Sequence, residues 1–160
     1  HDRSGTAGRL RGVTSGLYRA ANTLLFIGAG FVLGLSSALQ PDPSGVGTHT
    51  QLGLNGCIVL SQWGIPCPMC GMTTTFALMS DFQWIAAIQN QPFGVLLYVL
   101  TVCAAIISLI ELTRSRSLWF RLSKRIGGEE VSLVAWFFIF MVISWGYKLV
   151  SMRIFLGDGA

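Results

Sequence analysis

The sequence predicts an all-α integral membrane protein with about three transmembrane helices and short interfacial or re-entrant helices between the first two. Three observations carry that prediction. Hydrophobic residues make up 52% of the 160 residues and charged residues only 11%, whereas a soluble domain carries about a quarter charged residues to coat its surface. The charges are also segregated: no Lys or Arg lies between Arg19 and Arg114, and the only acids in that stretch are Asp42, Asp81 and Glu111. Finally, three apolar runs approach the ~20 residues that span a bilayer core of about 30 Å.

The chain reads as one membrane domain, 1–160. Residues 1–19 hold Arg3, Arg9, Arg11 and Arg19 and are expected to form a mobile cytoplasmic tail. The first span is 20–39, free of charge and ended by Gln40-Pro41-Asp42-Pro43. Within it Gly30 and Gly34 form a small-xxx-small pair on which another helix could pack closely. This run exceeds the apolar core of a signal peptide and is read as a retained anchor. The second span is 93–110, closed by Glu111, and the third is 131–147, with Trp136, Trp145 and Tyr147 as interfacial anchors. A basic loop, 111–130, carries Arg114, Arg116, Arg121, Lys124 and Arg125. Glu129 and Glu130 then suit the positive end of the third helix. A short tail, 148–160, follows. The basic flanks put the N-terminus and the 111–130 loop in the cytoplasm and the Lys/Arg-free 40–92 segment outside; Lys148 and Arg153 count against this. Basic residues confined beside apolar runs exclude a nucleic-acid surface, so the lipid bilayer is the first expected partner.

The 40–92 segment concentrates the chemistry. It holds Cys57, Cys67 and Cys70, and its densest run is Gly64-Ile-Pro-Cys-Pro-Met-Cys-Gly-Met-Thr-Thr-Thr75. A helical stretch to about Ser80 follows, then a second short helix toward Asn90 that Asp81 can cap. The fourth cysteine, Cys103, falls in the second span as a buried, inert thiol. Cysteines two residues apart, with Pro and Gly shaping the turn, can chelate one tetrahedral metal. Cys57 and His49 would complete a Cys3His set for zinc or another metal. Alternatively Cys67, at a helix N-cap with Pro68 at the first helical position, would have a lowered thiol pKa, and Cys67 and Cys70 would form a thiol–disulfide pair with Cys57 as partner. A third reading leaves the cysteines only to stabilise the turn. Residue 71 is Gly rather than His, which excludes a c-type haem motif. There is no catalytic triad and no carboxylate pair.

Cys57, the Cys-Pro-Met-Cys-Gly-Met-Thr run, the Ser80-Asp81 helix end and Asn90-Gln-Pro-Phe-Gly94 leading into an apolar helix together resemble the domain-of-unknown-function 2752 family of small bacterial membrane proteins. The resemblance covers about residues 45–115. It departs at Thr74, where members commonly have Arg, and at Asn90-Gln-Pro, where they tend to have Asn-Pro. The resemblance implies a bacterial cytoplasmic membrane location and importance for the cysteines, and no reaction. The resulting expectation is an accessory or scaffold subunit, rather than an enzyme, whose outer loop is organised by a metal or a disulfide. It would bind other membrane subunits or a second copy of itself. The alternative is an envelope thiol–disulfide oxidoreductase or redox sensor using Cys67 and Cys70.

Overall fold

The computed structural model describes the backbone of residues 3–114 and 129–157, and the side chains of 16–113, 129 and 131–152. Those residues form helices and connecting loops and no strand. The helices are α1 (Arg3–Ala38), a 3-10 turn (Thr48–Leu52), α2 (Ile58–Trp63), α3 (Met72–Ser80), α4 (Trp84–Asn90), α5 (Pro92–Arg114) and α6 (Glu130–Gly157). Three segments are long and apolar enough to cross a membrane: Gly16–Ala38, Pro92–Thr113 and Val131–Met152. Most of the basic loop, 115–128, lies outside the described residues.

Helix runs beyond the spans on both sides. α1 begins at Arg3, ahead of its candidate span from Gly16, since no proline interrupts the run and a helix propagates at one hydrogen bond per added residue. The third helix continues past 147 to Gly157, because Lys148 is absorbed into the protein, as described below, and Leu149 and Val150 extend the apolar pattern.

α1 and α5 form the main helix pair. On α1 the buried positions are Asn22, Ala29 and Ser36, spaced by seven, and this seam faces α5. At one end Glu111 accepts hydrogen bonds from Tyr18 Oη (2.7 Å) and Asn22 Nδ2 (2.5 Å). At the other, Ser36 meets Ser80 of α3 at 2.8 Å. Gly30 and Gly34 lie off this seam, and a Cβ added at either would meet nothing within 4 Å. No helix among the described residues packs on them. Cys103 is exposed rather than buried, because its side of α5 has no helix laid over it.

α3 packs against the long helices. Thr74, Thr75, Ala77 and Leu78 are buried, and α3 packs on both α1 and α5. Phe76 stands edge-on to Tyr98 with ring centroids 5.3 Å apart. Gly94 of α5 lets the two helices close up, since a Cβ there would fall 3.0 Å from Thr75 Cβ. α4 folds back on α3 through Ala77 and Ala87, both fully buried.

The junction between α3 and α4 corrects the expected cap. Asp81 closes α3 instead of opening α4, whose N-cap is Gln83. The backbone makes a Schellman turn, with Gln83 N–H donating to Leu78 O (2.9 Å) and Phe82 N–H to Met79 O (3.3 Å). Phe82 occupies the left-handed position of that turn (φ +59°), which glycine fills at no steric cost. Phe82→Gly is therefore expected to stabilise the micelle-solubilised protein by about 1 kcal/mol, read as a shift in its denaturation midpoint. An unchanged or lowered midpoint would show that the exposed ring contributes more than the strain costs.

Candidate metal centre

The cysteine run does not start a helix at Cys67. Residues 67–70 form a tight turn closed by Cys70 N–H to Cys67 O at 2.9 Å, and α3 starts only at Met72 with Gly71 as N-cap. Pro68 occupies the second position of that turn, where its fixed φ is favourable. The Cys67 amide points back at Cys70 Sγ (3.2 Å), and the two sulfurs lie 3.1 Å apart. Bonded sulfurs sit at about 2.05 Å, so both thiols are free.

The helix-capping cysteine is Cys57, which stands at the N-cap of α2, a helix that sequence reasoning missed. Ile58–Trp63 is too short to show a helical period, and Gly64 ends it. This short helix swings Cys57 onto the turn. The sulfurs of Cys57, Cys67 and Cys70 then lie within 4.8 Å of one another, a group able to hold a metal ion. Their surroundings set them apart. The Leu60 amide at the start of α2 pulls the Cys57 thiol down to about 7. Burial, and hydrogen bonding to Cys67, push Cys70 up to about 12. In reduced protein at neutral pH, Cys57 should be alkylated well before Cys70, as peptide mass spectrometry after timed iodoacetamide labelling would show. Equal rates would contradict both assignments.

His49 does not join the three sulfurs. It lines the same cavity of about 420 Å³ as Cys57, Cys67 and Cys70, but its Nε2 lies 3.2 Å from Asn55 O. Both αL glycines of the 3-10 turn, Gly47 and Gly53, hold His49 on that short element.

Four elements converge behind the turn. Gln91 Nε2 donates to Pro68 O (2.8 Å) and Trp145 Nε1 to Pro66 O (2.7 Å). Asn90 Nδ2 donates to Gly71 O (3.1 Å) and Thr75 Oγ1 (2.9 Å), while Asn90 Oδ1 accepts from Lys148 Nζ (2.6 Å). Lys148 also donates to Gly45 O at 3.3 Å. Thr74, at the position where an Arg was expected by resemblance, is buried and bonds to Thr48 at 2.8 Å. Gly45 and Gly71 both have positive φ, and a Cβ on either would run into this Asn90–Lys148 junction.

Residues 57–105 match the family described as a protein of unknown function, DUF2752. No curated protein and no solved structure matches the chain. The matched stretch begins at the first cysteine and contains all three sulfurs, Asn90 and Gln91. It does not contain Lys148, Trp145, Gly45 or His49. Sequence reasoning missed Lys148 because it stood just past the assumed helix end. The signal that finds it is the apolar pattern resuming at Leu149 and Val150, which makes Lys148 a charge inside a span.

Proposed function

We propose that this chain is a membrane accessory or scaffold module whose cysteine segment is organised by a metal ion held by Cys57, Cys67 and Cys70. The observation that carries the reading is the convergence of three sulfurs, from an N-cap and a separate turn, within 4.8 Å. Thiolates are soft ligands suited to zinc and other thiophilic ions. Binding replaces three S–H bonds by three S–metal bonds and closes the 57–70 loop. Elemental analysis of protein purified under reducing conditions without chelator should find about one metal per chain, lost in Cys57→Ser and in Cys70→Ser. Metal-free protein with three titratable thiols would overturn the reading.

The location that fits is the bacterial cytoplasmic membrane, with the N-terminus inside and the cysteines outside, as the basic flanks favour. Other membrane subunits, or a second copy of the chain, are the natural partners. The outward faces of α1, with Gly30 and Gly34, and of α6, with Trp136, suit helix packing.

The 3.1 Å approach of Cys67 and Cys70 favours a second reading, an envelope thiol–disulfide couple. Closing the bond would remove two protons and two electrons from the thiols to an external oxidant. Trapping free thiols across a graded glutathione buffer would show one reversible two-electron transition at these residues; thiols that stay reduced throughout would exclude it.

A further inference from the structure

Lys148 is only 4% exposed although it lies within a candidate span, Val131–Met152. A charge so placed is costly unless it is paired. Among the described residues its Nζ donates to two neutral oxygens, Asn90 Oδ1 and Gly45 O. Those bonds solvate the ammonium but do not cancel its charge. The same Nζ lies 3.3 Å from the Cβ position of Gly71, the residue bonded to Cys70.

Charge counting then connects the two features. Three thiolates around a divalent ion carry a net charge of −1; around a monovalent ion they carry −2. One ammonium cancels the first and leaves the second half uncompensated in an apolar setting. We propose that Lys148 is the positioning counter-charge of the metal centre, and that the centre is built for a divalent thiophilic ion of the zinc class. The inference rests on the metal reading above. Lys148 touches no metal; it acts through the field it sets at Cys70 and by holding Asn90 against the Gly71 carbonyl. On binding, each thiol still protonated gives its proton to solvent, the ion enters as M2+, and no electron is transferred.

The test uses full-length protein in micelles, reduced, titrated with Co(II), whose thiolate charge-transfer absorption reports the ligands directly. Lys148→Gln keeps a hydrogen-bond donor and removes the charge; Lys148→Arg keeps the charge. The expected result is binding at least about tenfold weaker in Lys148→Gln, with the pH midpoint of the charge-transfer band moved upward by about one unit, and both restored in Lys148→Arg. A purely structural lysine would move neither reading in a Lys148→Gln variant of normal thermal stability, and that result overturns the inference while the metal reading stands. Should Lys148→Gln fail to fold, Lys148→Arg decides: Co(II) affinity and a charge-transfer pH midpoint that stay at the unaltered values support a counter-charge, and a loss of affinity of about tenfold in a stably folded Lys148→Arg overturns it. An unaltered protein that binds no Co(II) brings down both readings together.

Discussion

Gly71→Ala is expected to dismantle the cysteine segment. Gly71 has φ +89°, which costs a non-glycine residue about 1–2 kcal/mol. The added Cβ would also lie 2.6 Å from Gly45 O, with Asn90 Nδ2 at 3.1 Å and Lys148 Nζ at 3.3 Å. A carbonyl cannot swing away as a flexible side chain can, so the 45–47 loop, or the start of α3, must move. Cys70, 6% exposed in the intact fold, should then react with maleimide at a rate approaching that of Cys57, and the denaturation midpoint should fall. Gly30→Ala is the contrasting substitution: nothing stands within 4 Å, and alanine is the better helix former by about 1 kcal/mol. If Gly71→Ala leaves Cys70 protected and the midpoint unchanged, Gly71 does not hold the cysteine segment together.

The second large effect belongs to Asn90. Asn90→Leu deletes three hydrogen bonds at once and leaves the buried Lys148 ammonium, among the described residues, with Gly45 O. Losing a buried hydrogen bond to a charged group costs about 1.5–3 kcal/mol, so the variant should unfold at lower denaturant in micelles. Asn90→Asp separates the components. It keeps the oxygen facing Lys148 and adds an opposing charge, but it cannot donate to Gly71 O or Thr75 Oγ1. An intermediate loss is expected. A full recovery in Asn90→Asp would mean that only the Lys148 contact matters, and no loss in Asn90→Leu would remove the junction from any structural account.

Why some of this was legible in the sequence, and some not, follows from the range of the forces involved. The three membrane helices could be read because a span needs a long apolar run, which composition alone reveals. The cysteine turn was legible as a unit because two residues between cysteines, with Pro inside, admit few backbone paths. The capping assignments failed where one residue decides. Cys67 reads equally well as an N-cap and as a turn start, and the Cys70 N–H to Cys67 O bond chose the turn. Asp81 lost the cap of α4 because Phe82 accepts a left-handed conformation that its side chain disfavours. Long-range partners were least legible. Nothing local links Lys148 to Asn90, 58 residues away, or Trp145 to Pro66. Both contacts come from how α6 lies against the cysteine turn. For the same reason His49, close in sequence to Cys57, was expected to be a ligand, although the 3-10 turn directs it to Asn55 instead.

The placement of Lys148 also has a consequence for synthesis. The chain emerges from the N-terminus, so Cys57, Cys67, Cys70 and Asn90 are complete long before residue 148 is made. Until α6 enters the membrane, the Trp145 brace on Pro66 and the cation against Asn90 are both missing. A chain made only as far as α5 therefore holds its three sulfurs without the Trp145 and Lys148 contacts. The support of the cysteine segment is thereby timed to follow α6, which is made after the residues it braces.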